Sequence, residues 1–373
     1  MRFELVATCL FGLEHLLGEE IEALGYDRTE TIDGRVAFLG DEEAVALANI
    51  RLRYAERVFI RLGKFRAETF DELFEGTKAL PWEMLIGKND AFPVKGHAIA
   101  SRLFSVPDCQ KIVKKAIVTR LGQQYGLSWF PESGVKYQVE FFLLRDEASL
   151  MIDTSGTPLH KRGYRPVSNE APIRETLAAA LAAISRPREE VLFWDPMCGS
   201  GTIAIEAAMQ MMHIAPGLHR SFAAEAFPAV PVGVWRCARE EAREEEVQTA
   251  FEVYASDLDP ACVALTQENV RRAGVTACVR AFTADARTIS APGRRGTIVT
   301  NPPYGERMST PEEVETLYRE LGAHFRSLSP WQVYLITSMD HGFERLYGKR
   351  ADKVRKLYNG MIPCYLYQYF KNR

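Results

Sequence analysis

The sequence predicts an α/β protein: two α+β modules in series, then a doubly wound parallel sheet that closes on an antiparallel hairpin. Three observations carry this. Between residues 171 and 337, short apolar runs alternate with longer amphipathic ones, the pattern of β-α units wound onto a parallel sheet. The stretch K-V-R-K-L-Y-N-G-M-I-P-C-Y-L-Y-Q-Y-F (353–370) holds two strand-like runs joined at Asn359-Gly360, a strong hairpin signal. Residues 3–153 carry strands and helices without that steady alternation, in two shorter sets.

The first set begins with a strand-like run from Phe3 to Thr8. Leu13 to Leu24 has helical spacing and stops at Gly25, a C-cap residue. Arg35 to Leu39 reads as a strand, Asp41 to Ile50 as a helix and Arg57 to Phe65 as a strand. This β-α-β-α-β order with short links predicts a ferredoxin-like unit, residues 1–66. In the second set, Phe70 to Leu80 and Pro107 to Tyr125 read as helices. His97 to Leu103, Val135 to Leu144 and Ala148 to Asp153 read as strands. That module extends to the tract T-P-L-H-K-R-G-Y-R-P (157–166), whose glycine, flanking prolines and three cations read as a linker. The third domain, 166–373, opens with the helical run A-P-I-R-E-T-L-A-A-A-L-A-A-I. Strands are expected at 191–195, 253–257, 278–283, 296–300 and 331–337, and helices at 202–212, 260–273 and 311–328.

The chain has a net charge of only −3, unevenly spread. Residues 1–94 hold 11 Lys+Arg against 18 Asp+Glu, a net of −7, whereas residues 95–166 hold 11 against 6, a net of +5. A basic module inside an acidic protein points to a polyanion partner. Seven cysteines without a C-x-x-C pair argue against a disulfide framework or a zinc cluster and for a reducing compartment. His160, His213 and His219 lack ligand spacing, so no metal is assigned. The start has no secretion pattern, and no run approaches the ~20 apolar residues of a membrane span. A cytoplasmic protein without a membrane partner is expected, and a monomer is compatible with the sequence.

The segment V-L-F-W-D-P-M-C-G-S-G-T (191–202) leaves the first strand of the third domain and opens a helix. Gly199 and Gly201 let the backbone turn tightly and let a ligand lie against it. The helix from Thr202 offers free N–H groups. A glycine-rich turn alone is a weak signal, because phosphate and dinucleotide sites share it. Here Ala204 stands in place of a third glycine, and a P-loop lysine is missing. Asp195, before the glycines, suits a cationic ligand, which favours the ammonium group of S-adenosylmethionine. The next strand ends at Asp257, where an acid accepts from ribose hydroxyls. Asp259 reads as a helix N-cap ahead of Pro260. Asp285 follows the third strand, placed to read an adenine amino group. One such acid would ordinarily be a cap or a solvated turn. Three acids at three successive strand ends point to a ligand edge. The expected cofactor residues are Asp195, Pro196, Cys198, Gly199, Gly201, Thr202, Asp257, Leu258, Asp285 and Ala286.

The fourth strand stops on Asn301-Pro302-Pro303-Tyr304. The prolines remove two backbone donors and hold the loop extended. An exocyclic base amine is a poor nucleophile, because its lone pair is delocalised into the ring. The Asn301 side-chain carbonyl and the Pro302 backbone carbonyl can accept that amine's two hydrogens and localise the pair. Tyr304 can stack on the base. Catalysis would then be positioning and electrostatics.

This constellation resembles the amino-methylating branch of class I methyltransferases. The whole chain resembles THUMP-containing RNA methyltransferases, most specifically the bacterial enzymes acting on the guanine exocyclic amine, N(2), of large-subunit (23S) ribosomal RNA. The matching stretches are L-H-K-R-G-Y-R (159–165), A-P-I-R-E-T-L-A-A-A (171–180), D-P-M-C-G-S-G-T (195–202), I-A-P-G-L-H-R-S-F (214–222) and N-P-P-Y-G-E-R (301–307). The resemblance implies a Rossmann-like methyltransferase sheet preceded by ferredoxin-like and THUMP modules, with residues 67–165 as the THUMP domain that grips RNA. RNA contacts are expected from Lys111, Lys114, Lys115 and Arg120 in one helix and from Lys161, Arg162 and Arg165 in the linker.

Other features have plainer readings. Cys364 after Pro363 looks like a pyrimidine-methylating nucleophile, but it falls in the terminal hairpin and reads as packing. The run R-C-A-R-E-E-A-R-E-E-E (236–246) reads as a solvated helix with i,i+4 pairs. Three rival functions share parts of the pattern. An adenine-N(6) methyltransferase would use the same loop. A non-enzymatic RNA-binding assembly factor would have no need of it, and neither would an NAD oxidoreductase.

Overall fold

The computed structural model describes residues 2–166, 173–303, 310–328, 330–340 and 342–370. Tyr304 lies outside the described residues. The chain forms two compact units, Met1–Thr8 with Gly18–Leu159 and Arg220–Glu240, and Cys9–Leu17 with His160–His219 and Glu241–Arg373.

The first unit is built on one seven-stranded sheet. In chain order its elements are β1 (Phe3–Cys9), α1 (Glu14–Ala23), β2 (Arg28–Ile32), β3 (Arg35–Gly40), α2 (Glu42–Arg51), β4 (Ala55–Arg66), α3 (Phe70–Lys78), β5 (Val94–Ile99), α4 (Val106–Tyr125), β6 (Val139–Leu144) and β7 (Glu147–Asp153). The strand order is β2-β3-β1-β4-β7-β6-β5. The two α+β modules thus share a sheet, joined where the 12-residue β4 pairs antiparallel with β7 across a bulge between Arg61 and Gly63. Strand β2 was not expected from sequence. Its residues R-T-E-T-I are largely exposed, and the available sign was Asp33-Gly34, the two-residue turn that pairs Ile32 with Arg35 of β3, with Gly34 at a φ of +76°. Strand β5 begins three residues before the expected His97, at Val94, and ends at Ile99, next to Ala100 with its positive φ. Residues 220–240 pack on this unit: Ala224 N donates to Thr154 O at 2.9 Å, and Phe227 stacks on Tyr137 at 4.3 Å.

The second unit contains α5 (Glu175–Ser185), β8 (Leu192–Asp195), α6 (Thr202–Met211), β9 (Val253–Asp257), α8 (Pro260–Arg272), β10 (Val279–Thr283), β11 (Gly296–Thr300), α9 (Pro311–Ser327), β12 (Gln332–Thr337), α10 (Phe343–Tyr347), β13 (Lys353–Asn359) and β14 (Ile362–Tyr369); α7 (Val232–Glu244), which precedes β9 in the chain, belongs to the first unit as far as Glu240. The charge run expected to be a solvated helix forms α7, which buries Trp235, Ala238 and Ala242 on one face. The sheet order is β10-β9-β8-β11-β12-β14-β13. Strands β8 to β12 pair parallel, while β14 runs antiparallel to both β12 and β13. The terminal hairpin is therefore present, but its loop is Gly360-Met361, closed by the pair Asn359–Ile362. Gly360 supplies the positive φ, +66°, that a two-residue turn needs. Cys364 is fully buried in β14, as packing requires.

A continuous core fixes the sheet. Leu192, Ile298, Val333 and Leu335 from the strands pack against Tyr318, Leu321 and Phe325 of α9 and against Phe343 and Tyr367. Each such side chain contributes about 1.5–3 kcal/mol when fully buried, so the strand ends beyond this core are held rigidly. No helix among the described residues is long and apolar enough to cross a membrane.

Candidate active site

The parallel strands of the second unit present their C-terminal ends on one edge, and the strand order turns back at β8, the arrangement that opens a ligand crevice. Asp195 ends β8, Asp257 ends β9, Asp285 follows β10 and Asn301 follows β11. All four line one cavity of about 940 Å³, with Pro196, Cys198, Gly199, Thr202, Leu258, Ala286 and Pro303. Of the expected cofactor residues only Gly201 is not on its wall.

Asp195 is buried, 1% exposed. Its Oδ1 accepts from Thr300 Oγ1 at 2.9 Å and from Met197 N at 3.3 Å. Burial pushes its carboxyl up to about 7, opposed by the Thr300 hydrogen bond and aided by the nearby charge of Asp257. Asp257 braces the glycine loop: its Oδ2 accepts from Gly199 N at 2.9 Å and its Oδ1 from Asp259 N at 3.1 Å. Asp259 caps α8 by accepting from Ala261 N at 2.8 Å, as expected. Asp285 is more engaged than the sequence suggested. Arg287 Nε donates to both its oxygens, at 2.9 and 3.0 Å, and Arg287 also reaches Glu320 at 3.0 Å. That guanidinium holds Asp285 below the usual carboxylate range.

The glycines do what the loop requires. Gly199 and Gly201 have φ of +53° and +80°. A Cβ on Gly201 would lie 2.6 Å from the Thr266 methyl group, so only glycine fits there. Cys198 Sγ sits 3.5 Å from Thr266 Oγ1, and burial pushes its thiol far above the ordinary range, the property of a small wall residue.

Asn301 presents the sharpest feature. Its Oδ1 is buried and has no hydrogen-bond partner among the described residues. A buried carbonyl oxygen without a donor is costly, and such atoms call for an explanation. The loop behind it is fixed: Pro302 is buried, and Pro303 O accepts from Tyr318 OH at 3.4 Å, while that hydroxyl is 2.8 Å from Thr337 Oγ1. A cavity walled by carboxylates, with Gly199 and Asn301 on its lining, fits a cationic nucleoside cofactor.

The linker arginines do not behave as expected. Arg162 is 4% exposed and lies 3.5 Å from Glu206, which also accepts from Tyr164 OH at 3.0 Å. Arg165 pairs with Glu175 at 2.9 Å and donates to Thr202 Oγ1 at 2.8 Å and Ile173 O at 3.1 Å. Both guanidiniums are buried in the second unit beside carboxylates, Arg165 also holding Thr202 at the start of α6 and Arg162 facing Glu206 within it, and they offer no surface to a phosphate. Lys161 is exposed.

In the first unit the α4 cations divide. Lys111 and Lys115 are exposed. Lys114 pairs with Glu132, donates to Phe92 O at 3.1 Å and lies 3.6 Å from the Phe92 ring centroid. Arg120 donates to Glu83 at 3.0 Å. Val113, Ile117 and Leu121 are buried as expected, whereas Ile112 is only half-buried.

One wall of the cavity was not foreseen. Glu312, Glu313, Thr316, Leu317 and Glu320 of α9 line it. In sequence T-P-E-E is an ordinary capping box, and Thr310 with Glu313 forms one. The i,i+4,i+8 spacing of Glu312, Thr316 and Glu320 was the available sign of a polar face turned to a site.

Comparison with known proteins follows the same division. The RMKL-like methyltransferase domain matches residues 162–368, the RlmL ferredoxin-like domain residues 4–59 and the THUMP domain residues 67–153. The chain is 43% identical over 372 residues to a putative RNA methyltransferase, YpsC, of Bacillus subtilis, covering 99% of this chain and 96% of that one. It is 33% identical over 367 residues to the ribosomal RNA large subunit methyltransferase K/L of Psychromonas ingrahamii, covering 96% of this chain but only 49% of that longer enzyme. Among solved structures, a predicted N6-adenine-specific DNA methylase of Listeria monocytogenes superposes with a TM-score of 0.92 at 43% identity, over 100% of this chain and 97% of that chain. SMU.472, a putative methyltransferase complexed with SAH, superposes with a TM-score of 0.92 at 40% identity, over 100% and 99%. With a methyltransferase domain over more than half its length, this chain belongs to the RMKL-like family of S-adenosylmethionine-dependent methyltransferases.

Proposed function

We propose that this chain methylates the exocyclic amine of a guanine in RNA, forming N2-methylguanosine, and that its substrate is large-subunit ribosomal RNA. Residues 1–66 form the ferredoxin-like domain, 67–165 the RNA-gripping THUMP domain and 166–373 the catalytic domain. The single observation that carries the reading is Asn301 on the wall shared with Asp195 and Asp257, its Oδ1 buried and without a hydrogen-bond partner among the described residues. The RNA substrate is supported by the THUMP match and by the names of the two relatives.

S-adenosylmethionine, when bound, supplies an electrophilic methyl group on a sulfonium. Asp195 would take its ammonium group and Asp257 its ribose hydroxyls, each with a lone pair left beyond the hydrogen bonds it already accepts. Asp285, held by Arg287, would take the adenine amino group. Asn301 Oδ1 and the Pro302 carbonyl accept the two hydrogens of the target amine. Polarising both N–H bonds localises the nitrogen lone pair. The loop needs little reorganisation because the prolines and the Tyr318 hydroxyl already fix it. Tyr304, one residue beyond the described loop, would stack on the base.

Adenine-N(6) methylation is the second reading, because the same acceptors serve that amine and the Listeria relative bears that name. Nucleoside digests separate the two. RNA from a strain lacking the protein should lose one N2-methylguanosine relative to the parent and regain it on incubation with the protein and S-adenosylmethionine. Loss of N6-methyladenosine instead, or no change in RNA, overturns the proposal.

A further inference from the structure

The terminal hairpin reaches past the edge on which the active site opens. The register gives its position. Thr300 pairs with Leu335, Leu335 with Tyr367 and Tyr367 with Val354, so the next level up holds Asn301, Ile336, Leu366 and Arg355. Strand β14 continues toward its turn through Tyr365, Cys364, Pro363 and Ile362. At strand rise and spacing, the Met361 turn stands ~17 Å beyond the Asn301 level and ~10 Å to the side.

The overhang has an unusual surface. Met361 is 88% exposed and Ile362 51%. On β13, Arg355 and Lys356 are exposed at and just above the Asn301 level, and neither forms an ion pair among the described residues. Residues 345–358 hold six cations, Arg345, Lys349, Arg350, Lys353, Arg355 and Lys356, against one acid, Asp352. The root of the turn rests beside the cavity. Arg174 N donates to Asn359 Oδ1 at 3.4 Å, and the preceding residue, Ile173, lines the wall.

We propose that this hairpin is a second RNA-contact surface, carried by the catalytic unit itself. Arg355 and Lys356 hold backbone phosphates of nucleotides flanking the target, and Met361 with Ile362 packs on a base unstacked beside it. Exposing an exocyclic amine to Asn301 requires that base to leave its stack, and the neighbouring base then loses a partner. An adaptable thioether at the mouth of the site can cover the bared face. Cations on an edge strand also discourage edge-to-edge pairing. That role needs no exposed methionine at the tip and predicts no effect on RNA.

The inference rests on the RNA reading above, so its test scores the parent protein first. The full chain is assayed with large-subunit ribosomal RNA from a strain lacking it, against Arg355→Ala/Lys356→Ala, Met361→Ala and Met361→Leu. All altered side chains are exposed, and unchanged S-adenosylmethionine affinity certifies each fold. The charge variant should lower the slope of log K for RNA against log salt by about 0.7–0.9 per lost contact. Met361→Ala should lower kcat/KM for RNA several-fold, and Met361→Leu should restore it. Parental slope and parental kcat/KM in the variants, with a parent that methylates the RNA, overturn the hairpin proposal alone. Loss confined to the charge variant overturns the role of Met361. A parent that neither binds nor methylates RNA overturns the reading beneath it.

Discussion

Asp195 and Thr300 are joined by a 2.9 Å hydrogen bond from the Thr300 hydroxyl to the Asp195 carboxylate, so the acid that ends β8 is tied to the residue before Asn301. The bond stabilises the charged form, yet burial dominates and leaves the carboxyl at about 7. An unfolded aspartate titrates near 4. Between about 4 and about 7 the folded state therefore binds the extra proton, and stability falls as pH rises through that window. Asp195→Asn should raise the melting temperature at pH 7.5, and the gain should vanish by pH 4. The same variant should lose S-adenosylmethionine affinity, because it has no charge for the ammonium group. In the parent, affinity should climb as pH rises toward about 7 and fall again above about 8, where an α-amino group deprotonates. Calorimetry across that range checks both limbs. Thr300→Val should move the lower limb to higher pH.

Asn301→Ala should sharply lower transfer while leaving cofactor affinity near the parental value. In the proposed mechanism the lost acceptor acts on the amine as it is activated, so the change should appear in kcat. A loss of about 2.7–4 kcal/mol, some 10²–10³-fold, matches removal of one preorganised hydrogen bond to a transition state. Near-parental turnover would remove Asn301 from the mechanism.

Asp257→Ala should act on the cofactor instead. It would remove the proposed acceptor for the ribose hydroxyls and also free Gly199 N, which Asp257 now holds at 2.9 Å. Asp257→Asn keeps one acceptor oxygen and so should fall between the parent and the alanine variant. Equal S-adenosylmethionine affinity in all three would reduce Asp257 to a turn residue.

Gly201→Ala tests the loop from its backbone. The positive φ disfavours any side chain by roughly 1–2 kcal/mol, and the new Cβ would meet the Thr266 methyl at 2.6 Å. A lower melting temperature together with weaker cofactor binding is expected. Thr266→Ser removes that methyl and should recover part of the stability, which thermal unfolding of the double variant would reveal.

The sequence revealed what rests on local chemistry. Alternation gave the parallel sheet, Asn359-Gly360 marked the hairpin to within one residue, and glycines and strand-end acids marked the edge on which the cavity opens. What it concealed depends on distant partners. The two N-terminal modules merge through a bulge in β4 that no periodicity announces. Arg162 and Arg165 sit in a proline-flanked, basic stretch with the composition of a linker, and only the fold brings Glu206 and Glu175 to them. The α9 carboxylates look like helix-end decoration until the cavity beside them is seen.

The α4 cations differ in how free each is to meet the proposed RNA. Lys114 is committed to Glu132 and the Phe92 ring, and Arg120 to Glu83. Lys111, whose side chain is 78% exposed, meets Asp108 at 3.2 Å, and Lys115 is exposed beside the Phe74 ring. A surface ion pair such as Lys111–Asp108 contributes little and breaks readily. Phosphate contacts should therefore come from Lys111 and Lys115. Lys111→Ala/Lys115→Ala should weaken RNA binding and lower the salt slope by about 0.7–0.9 per lost contact. Such contacts set the position of the RNA and carry no base identity, so the same nucleotide should be modified, more slowly at low RNA concentration. Lys114→Ala should instead loosen the Phe92 region and lower the melting temperature with little change in slope. An unaltered slope in the Lys111/Lys115 variant, beside a lowered one for Lys114→Ala, would reverse this assignment.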